Sequence, residues 1–374
     1  MTDPIPIVRP SIDFTEVEQE LREVMSTGIL TSGPYVSHFE EAVAEFVGVQ
    51  HAIATTSATT ALHLSMAALG VGPGDEVLVP DFTFPATANA VIQTGATPVF
   101  VDSSTKDFGM DPECAASLVS GRTRVIMPVD PFGQPADHQA LTLLAADAGA
   151  HLVVDAACSL GAVRDNRKCG AHGDLSCFSF HPRKVVTCGE GGMVTTNSPD
   201  LAARLRLLRN HGATRKEEAG FEFAEPGYNY RLSEMPAVLG LAQMRRVNQI
   251  LEDRRSTARI YDRVLDAIVG VTIPAPPPGA IWSYQSYVVI LDDHVNRDAV
   301  IAAMRATGIE TTIGTYACHQ HPAFANWCRD PTGLVNAGFF ADHTLTIPLL
   351  PNMDEGLVEK VAMCLNQAVS NCIE

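Results

Sequence analysis

Apolar runs of five to seven residues alternate with segments of helical spacing from about residue 40, and this alternation restricts the fold more than any other feature of the sequence. One helical segment, TTALHLSMAAL, places Leu62, Met66 and Leu69 on one face. Runs that are apolar along most of their length are typical of strands covered on both faces. These runs are EVLVP, TPVFVD, RVIMPV, HLVVDA and DLSCFSF. The pattern predicts an α/β fold with a mostly parallel central sheet, helices on both faces, and reactive groups at the carboxyl ends of the strands.

The pattern changes in the last third of the chain, which predicts a second, smaller domain. Apolar residues from Met235 to Leu251 indicate one long amphipathic helix that leads away from the sheet. A proline-rich connection, VTIPAPPPGAIW, follows, and the remaining segments suit a small α+β unit. We predict a large domain over residues 1–248 and a small C-terminal domain over residues 249–374, since 374 residues are enough for two hydrophobic cores.

The charge of the chain makes several partners improbable on physical grounds. Its 43 Asp and Glu residues outnumber its 26 Lys and Arg residues, for a formal charge of −17, and no basic stripe interrupts this balance, so we expect no nucleic-acid partner. The first 30 residues carry acids and prolines where a signal peptide needs a basic start and an apolar run. Because no run is long and apolar enough to span a bilayer, we also expect no membrane partner and a cytoplasmic location.

The cysteines and histidines do not form a metal-binding or disulfide pattern. The nine cysteines are odd in number and include no C-x-x-C pair, so reduced and mostly buried thiols are the expectation. His319 and His321 lie two residues apart, but no third ligand stands beside them in the sequence. We therefore predict that the protein has no metal site.

Three features at predicted strand ends and helix starts suggest a reaction site. Ser57 and Thr60 begin a helix whose free backbone amides could bind an anion such as phosphate, although these residues taken alone favour an ordinary N-cap. Asp155 ends the apolar run HLVVD, where a buried carboxylate needs a cationic partner. Lys184 lies between an apolar strand and the glycine-rich TCGEGG, which makes it a candidate for covalent chemistry through its amine rather than an ordinary surface lysine.

A family resemblance is carried by the lysine motif FSFHPRKVVTCGEGGMVTTN and by five further blocks that occur in order over most of residues 28–250. The further blocks are GVGPGDEVLVPDFTFPATANAVIQTGATPVFVD, FGQPAD, LVVDAACSLGA, RLRLLRNHGA and GYNYRLSEMPAVLGLAQM. Together they resemble the DegT/DnrJ/EryC1/StrS aminotransferases, which use pyridoxal phosphate; the C-terminal part matches more loosely, chiefly in HQHPAF. The resemblance implies the fold type I (aspartate aminotransferase-like) architecture of pyridoxal-phosphate enzymes and a homodimer whose active sites are shared between subunits.

The resemblance also implies roles for individual residues. Lys184 would attach to the cofactor through its amine and then move a proton, and Asp155 would pair with the pyridine nitrogen. Phe84 would stack on the cofactor ring, although the alternative is an ordinary core phenylalanine. The phosphate would be held by Ala58, Thr59 and Ser179, with Asn229 contributed by the other subunit.

Several further positions are assigned to the cofactor or the substrates. Cys158 occupies a cofactor-contacting position where the family commonly has Gln or His, and since a thiol is a weak donor, it either tunes the cofactor and substrate preference or is a tolerated substitution. His181 and Arg183 flank the lysine and would contact substrate, although packing is equally possible for His181. His319 falls in a stretch resembling one that borders the family's acceptor pocket.

The implied reaction is a transamination in two halves, in which the cofactor cycles between pyridoxal and pyridoxamine phosphate. The amino donor would be L-glutamate or L-glutamine, and the acceptor a keto sugar, most simply a nucleotide-linked one, or a keto cyclitol. Two alternatives remain open. A sugar dehydratase of the same family typically has His at the lysine position, against Lys184 here, and a non-catalytic regulator of this fold would not need the catalytic positions that this sequence retains.

Overall fold

A computed structural model describes residues 4–216 and 220–373, which contain twelve α-helices. In chain order these are α1 Glu18–Thr27, α2 Pro34–Val47, α3 Ala58–Ala68, α4 Ala86–Ile92, α5 Pro112–Leu118, α6 His138–Ala148, α7 Pro199–Arg209, α8 Glu234–Met244, α9 Val247–Leu265, α10 Arg297–Ala306, α11 Val335–His343 and α12 Glu355–Asn371. None of these described helices combines the length and the apolar character needed to cross a bilayer.

The strands of the described residues form one large sheet and several smaller ones. They are β1 His51–Thr55, β2 Glu76–Pro80, β3 Phe82–Thr83, β4 Thr97–Val101, β5 Thr123–Ile126, β6 His151–Asp155, β7 Val163–Arg164, β8 Arg167–Lys168, β9 Leu175–Ser179, β10 Gly192–Thr196, β11 Ala213–Arg215, β12 Phe221–Phe223, β13 Val271–Thr272, β14 Ala280–Ile281, β15 Tyr287–Leu291, β16 Thr312–Ile313, β17 Tyr316–Ala317 and β18 Thr344–Ile347.

The large sheet has seven strands in the order β1-β10-β9-β6-β5-β2-β4. The pairs from β9 to β4 are all parallel, and β10 runs antiparallel to both of its neighbours. Each apolar run of the sequence became one of these strands, which confirms the predicted α/β class with a mostly parallel sheet. The carboxyl ends of β1, β5, β6 and β9 consequently meet at one edge.

Both faces of the large sheet are covered, as strands that are apolar throughout require. Successive side chains of a strand point to opposite faces, so Leu78 of β2 lies in one hydrophobic cluster while its neighbours Val77 and Val79 lie in another. The first cluster is completed by α1, α2, α6 and α8, and the second by α3, α4, α7 and α11. The sheet therefore has a helical layer on each face.

The C-terminal part forms a separate hydrophobic cluster around the four-stranded sheet β13-β15-β18-β16. Helices α9, α10 and α12 supply most of its remaining side chains, among them Tyr261, Met304 and Val361. Ile5 also belongs to this cluster, and its amide donates to the carbonyl of Gly308 (2.8 Å). The N-terminal segment thus packs against the C-terminal part, while the division at residues 248 and 249 stays a prediction.

The single long helix predicted from Met235 to Leu251 is wrong. The chain forms two helices there, α8 and α9, separated at Arg246, whose backbone angles of φ −123° and ψ 20° are not helical. The guanidinium of Arg246 bonds to Ser11 and Glu16, more than 200 residues away in the chain. This long-range contact accompanies the break, and the periodicity of neighbouring residues carries no signal of it.

Glu234, the first residue of α8, joins α8 to α2 and provides a test of the packing. Its carboxylate is fully buried and accepts hydrogen bonds from the amides of Gly33 (2.9 Å), Tyr35 (2.8 Å) and Val36 (3.3 Å) at the start of α2. We expect Glu234→Ala to lower the free energy of unfolding by about 3 kcal/mol, because it leaves several buried donors without an acceptor. Urea denaturation measures this change.

The matched control is Glu18→Ala, which removes a partly exposed carboxylate paired with Arg22 on α1. Exposed pairs of this kind contribute less than about 1 kcal/mol. Equal losses for the two variants would show that Glu234 does not hold α2 in place.

Candidate active site

A cavity of about 540 Å³ opens at the edge where the parallel strands end. Nine of the eleven residues that the sequence assigned to a site line it. They are Ala58, Thr59, Phe84, Asp155, Cys158, Ser179, His181, Arg183 and Lys184. The fold thus brings together residues from several strand ends and one helix start, and their individual roles stay predictions.

Asp155 is the last residue of β6 and lies at the base of the cavity with 5% of its surface exposed. The Thr87 hydroxyl donates to one carboxylate oxygen (2.8 Å), and the Ala157 amide donates to the other (3.2 Å). Burial raises the pKa of Asp155, and these hydrogen bonds together with the charge of Lys184 offset part of the increase. A carboxylate in such a place is stabilised by a cation placed in the cavity.

Lys184 follows β9 in a turn in which its own amide donates to the carbonyl of His181 (2.9 Å). Its Nζ donates to the Sγ of Cys158 at 3.0 Å, across the turn that follows β6. The sulfur is a weak acceptor, so this contact leaves the amine available to another partner. The residue at position 158 therefore contacts the lysine directly, which the sequence alone did not predict.

The start of α3 forms another part of the wall. Ser57 is the N-cap and forms a capping box with Thr60, whose amide donates to the Ser57 hydroxyl (3.1 Å). The predicted helix start is confirmed, and the amides of Ala58 and Thr59 lie at helix positions that have no acceptor within the helix. Gly192 of β10 passes so close that an added Cβ would lie 2.2 Å from the Ser57 carbonyl oxygen. Glycine is needed here to keep the helix start against the sheet.

Ser179 and Phe84 complete the described cavity from two other strands. Ser179 ends β9 beside the helix start, because its register partner is Gly192. Phe84 directly follows β3 and is 63% exposed, so it is not the ordinary core phenylalanine that was the alternative. Its ring lies 6.3 Å from that of Tyr316. An exposed ring at the rim is available to stack on a flat ligand.

Two predicted residues do not line the cavity of this chain. Asn229 is exposed, in a loop held by hydrogen bonds from the amides of Tyr228 and Tyr230 to the carbonyls of Leu208 and Arg209. His319 pairs with the buried Asp81, whose Oδ2 lies 2.5 Å from the His319 Nδ1, and burial raises the pKa of Asp81 against the effect of this histidine. The predicted contribution of Asn229 to the other subunit of a dimer stays a prediction.

Sequence analysis missed the opposite wall of the cavity. It comes from the C-terminal part and from the N-terminal segment, and it includes Gln285, Ser286, Thr312, Thr315, Ile347, Leu349, Ile7 and Val8. Gln285 also donates to the carbonyl of Arg183 (2.8 Å), which fixes the turn that carries Lys184. No motif marks these residues, because they reach the cavity only through tertiary packing.

The groups around the cavity indicate which kind of ligand it can bind. It places a lysine amine, a buried carboxylate and an exposed aromatic ring around one cavity, with a helix N-terminus on the same wall. A helix N-terminus suits a phosphate group, and a buried carboxylate suits a ring cation. The amine can form a covalent bond with an aldehyde. The residues therefore fit a flat heterocyclic cation that carries both a phosphate and an aldehyde.

Comparison with known proteins gives the same indication. A model of the DegT/DnrJ/EryC1/StrS aminotransferase family matches residues 12–366. GDP-perosamine synthase of Caulobacter vibrioides is 36% identical over 368 residues, which are 98% of this chain and 98% of that protein.

Solved structures resemble the chain over nearly its whole length. DesV from S. venezuelae is 32% identical, with a TM-score of 0.91 and coverage of 98% of each chain. Spr1654 of Streptococcus pneumoniae, solved in a PLP-form and a PMP-form, is 25% identical, with a TM-score of 0.93 and coverage of 99% of this chain and 100% of that one. The neighbours thus share both the large sheet and the C-terminal part.

Proposed function

The chain belongs to the DegT/DnrJ/EryC1/StrS aminotransferase family, and we propose that it transfers the amino group of L-glutamate or L-glutamine to a nucleotide-linked keto sugar. The family depends on pyridoxal phosphate and includes sugar aminotransferases. The observation that carries the proposal is the placement of the Lys184 amine and the buried Asp155 carboxylate in one cavity. The overall reaction is balanced: amino acid and keto sugar give oxo acid and amino sugar, with no net oxidation or reduction.

The cavity offers a residue for each part of the cofactor. The amides of Ala58 and Thr59 and the hydroxyl of Ser179 would hold the phosphate, and Phe84 would cover one face of the ring. When bound, pyridoxal phosphate supplies an aldehyde carbon that takes up the amino group and a cationic ring that withdraws electrons from the reacting carbon.

Lys184 has two tasks in this proposal. Its Nζ would be the nucleophile that holds the cofactor, and in its free form the same Nζ would carry a proton to and from the reacting carbon. The peptide group that joins Arg183 to Lys184 is held at both of its polar atoms, because the Lys184 amide donates to the carbonyl of His181 and Gln285 donates to the carbonyl of Arg183.

Asp155 has an electrostatic task. Its carboxylate would pair with the ring nitrogen and keep that nitrogen protonated, because separation of the two charges in so buried a place is costly. The Thr87 hydroxyl and the Ala157 amide orient the carboxylate, because each donates one hydrogen bond to one of its oxygens. The same burial that raises the pKa of Asp155 thus strengthens its pairing with a cation.

Residues at the cavity mouth would bind the substrates. The guanidinium of Arg183 lines the cavity and, within the described ranges, makes no hydrogen bond or ion pair. Guanidinium groups bind carboxylates and phosphates in bidentate fashion, so Arg183 suits the donor carboxylate or the acceptor diphosphate. His181 lies beside it, and burial lowers the pKa of this imidazole. His319, held by Asp81, would act on the acceptor only from outside the cavity wall.

A homodimer would complete the site. Asn229 of each subunit would reach the cofactor phosphate of the other, and its exposure on this chain leaves it available for that contact. The molar mass in solution tests whether the protein is a dimer. We expect Asn229→Ala to weaken cofactor binding in the dimer.

The acceptor is proposed to be a sugar rather than a cyclitol because the relatives named above act in sugar chemistry, as the name GDP-perosamine synthase states. That name also supports a nucleotide carrier. A dehydratase is disfavoured by Lys184, since a histidine is typical of that position in the dehydratases. A non-catalytic regulator would not need the amine and carboxylate that the cavity retains.

The test is a screen of the two half-reactions. Each amino acid is added to the holoprotein, and loss of the visible absorbance is followed together with release of the oxo acid. Keto sugars with and without a nucleotide, and keto cyclitols, are then tested for restoration of the absorbance. We expect glutamate or glutamine to bleach it and a nucleotide-linked keto sugar to restore it. Restoration by cyclitols alone would contradict the proposed acceptor, and no response to any amino acid would contradict transamination.

Cys158 provides a prediction about the cofactor. Cys158→Gln replaces a weak donor by an amide that can donate to an anionic oxygen on the ring, and stabilising that anion weakens its hold on a neighbouring proton. We expect the midpoint of the pH titration of the visible absorbance to fall by about 0.5 pH units. Absorbance between pH 5 and pH 10 measures it. Cys364→Ser, on α12, is the control, and an unchanged midpoint with unchanged substrate preference would rule out a tuning role for the thiol.

A further inference from the structure

The segment 282–286, which joins β14 to β15, contacts both α9 and the cavity. The Gln285 side chain lines the cavity, and its Nε2 donates to the carbonyl of Arg183 (2.8 Å). The guanidinium of Arg254, from α9, donates through Nε to the carbonyl of Tyr284 (2.7 Å) and through Nη2 to the carbonyl of Gln285 (2.6 Å). Hydrogen bonds therefore connect α9 to the turn that carries the cavity lysine.

The guanidinium of Arg254 fixes the orientation of Gln285. Its two acceptors belong to the two peptide groups that flank the α-carbon of Gln285, so the guanidinium holds that residue on both sides. Arg254 is 5% exposed, and although burial lowers its pKa to about 10, it keeps its charge at neutral pH. Charged donors form stronger hydrogen bonds than neutral ones, and the planar guanidinium presents them in a fixed geometry. The direction in which the Gln285 side chain leaves the backbone is thereby fixed.

The backbone of this segment needs such support, because one of its residues has an unfavourable conformation. Tyr284 has a φ of +49°, in the left-handed region that residues with a Cβ rarely adopt. Such a conformation persists only where surrounding contacts hold it. One contact is the hydrogen bond from the Ser283 amide to the carbonyl of Gly133 (3.1 Å). Arg254 supplies another at the Tyr284 carbonyl itself, so loss of this guanidinium would release the segment next to the cavity.

The position of the Lys184 amine depends on the backbone that carries it. Its Nζ donates to the Cys158 sulfur, which is a weak acceptor and holds the amine loosely. The peptide group that precedes Lys184 has two ordinary hydrogen bonds, to Gln285 at its carbonyl and to His181 at its amide. A displacement of about 1 Å at a reacting group can lower a rate by about 100-fold, so a small shift of this peptide group affects the chemistry of the amine.

We propose that Arg254 is a positioning residue that acts through Gln285 on the backbone of Lys184. The guanidinium orients Gln285, the Gln285 amide holds the carbonyl that precedes Lys184, and the lysine amine is thereby directed into the cavity. Arg254 is not among the described residues that line the cavity, so its effect is indirect. The inference rests on the proposed function only in giving Lys184 the task of attaching to the cofactor.

The competing interpretation is that Arg254 only packs α9 against the rest of the protein. The next residue, Arg255, makes the two interpretations distinguishable. Its guanidinium likewise donates to two carbonyls, those of Trp282 (3.0 Å) and Gly161 (2.8 Å), but neither carbonyl flanks Gln285. Arg255→Met therefore removes the same number of these hydrogen bonds from α9 without a direct effect on Gln285.

The experiment compares the wild type with Arg254→Met, Gln285→Ala, the double variant and Arg255→Met. Pyridoxal phosphate is added in excess to the cofactor-free protein, and the rate at which visible absorbance appears measures formation of the bond to Lys184. We expect Arg254→Met and Gln285→Ala each to slow this rate about tenfold, and Arg255→Met to change it less than about twofold. The double variant should be no slower than the slower single variant, because one residue acts through the other.

Two further measurements separate positioning from a general loosening of the cavity. Pyridoxamine phosphate carries an amine in place of the aldehyde and cannot form the bond to Lys184, so its affinity, measured by quenching of intrinsic fluorescence, depends on the remaining contacts. We expect Arg254→Met to leave this affinity within about twofold of the wild type. Hydrogen–deuterium exchange of the cofactor-free protein, followed by mass spectrometry, should be faster in the peptide that contains Lys184 for Arg254→Met and unchanged there for Arg255→Met.

The proposal would be overturned by a wild-type rate or wild-type exchange in Arg254→Met, or by equal rates in Arg254→Met and Arg255→Met. A double variant slowed by the product of the two single effects, or a tenfold loss of affinity for pyridoxamine phosphate in Arg254→Met, would also overturn it. If Arg254→Met does not fold, Arg254→Lys decides, because an ammonium keeps the charge without the planar fork. It should slow formation of the bond about threefold, and a wild-type rate would contradict the account.

Failure of the proposed function would give a different result. A wild type that develops no visible absorbance would contradict the proposed role of Lys184, and the exchange measurement would then still decide whether Arg254 orders the backbone of this residue. Because no amino donor or keto sugar is present in these measurements, a failure to aminate keto sugars would count against the proposed acceptor and not against this inference.

Discussion

Lys184→Ala is expected to reduce transamination by about 10³-fold or more, because one change removes both the nucleophile and the group that moves the proton. The variant should still bind pyridoxal phosphate, since Asp155 and the start of α3 remain, but the visible absorbance of the covalent complex should be lost. Steady-state rates with the donor and acceptor found in the screen, together with absorbance spectra, measure both effects.

Two matched variants separate chemistry from charge and folding. Lys184→Arg keeps the positive charge near Cys158 and Asp155 but cannot act as the nucleophile, so it should be as inactive as the alanine variant. Lys106→Ala removes an exposed lysine that does not line the cavity, and this variant should be fully active. An active Lys184→Arg variant would refute the covalent role of this residue.

Asp155→Asn is expected to lower the rate by a similar amount, about 10²-fold to 10⁴-fold, because an amide cannot hold the ring nitrogen in its protonated form. The same variant should make the cofactor-free protein more stable. The pKa of Asp155 is raised on folding, so its ionisation opposes folding, and stability is lost as the pH rises through the folded-state pKa. Asparagine has no such cost, and we expect the Tm of the cofactor-free variant to rise by roughly 2 °C at pH 7.5 and not to change below pH 4.

Calorimetry of the cofactor-free proteins and kinetics of the loaded ones test these two effects separately. Asp298→Asn, a change at an exposed carboxylate on α10, serves as the control and should alter neither. If Asp155→Asn were as active as the wild type, the ring nitrogen would have to be held by a different residue. If the cofactor-free Asp155→Asn variant were less stable than the cofactor-free wild type, the main role of Asp155 would be structural.

The sequence predicts the large sheet well because the determining signals are local. Each apolar run is itself the strand, and Asp155 and Lys184 stand at strand ends that parallel pairing brings to one edge. The helix start at Ser57 was equally accessible, since an N-cap is read from neighbouring residues. Phe84, Ser179 and Asn229 came from the family resemblance and not from any local signal.

What the sequence did not reveal depends on contacts between distant segments. The break before α9 accompanies bonds from Arg246 to the N-terminal region, and Ile7 reaches the cavity because Leu349 donates to its carbonyl (3.1 Å). The sequence predicts one buried face for α3, but the helix is buried on more than that face, since His63 and Ser65 are buried as well. The reason is that the sheet, α4 and α7 enclose this helix.

The central claim is that the Lys184 amine holds the cofactor covalently opposite the Asp155 carboxylate. Reduction of the holoprotein with sodium borohydride, followed by digestion and mass spectrometry, tests it most directly. The account predicts one pyridoxyl group per chain, on the peptide that contains Lys184. A label on a different lysine, or none in protein saturated with cofactor, would contradict it.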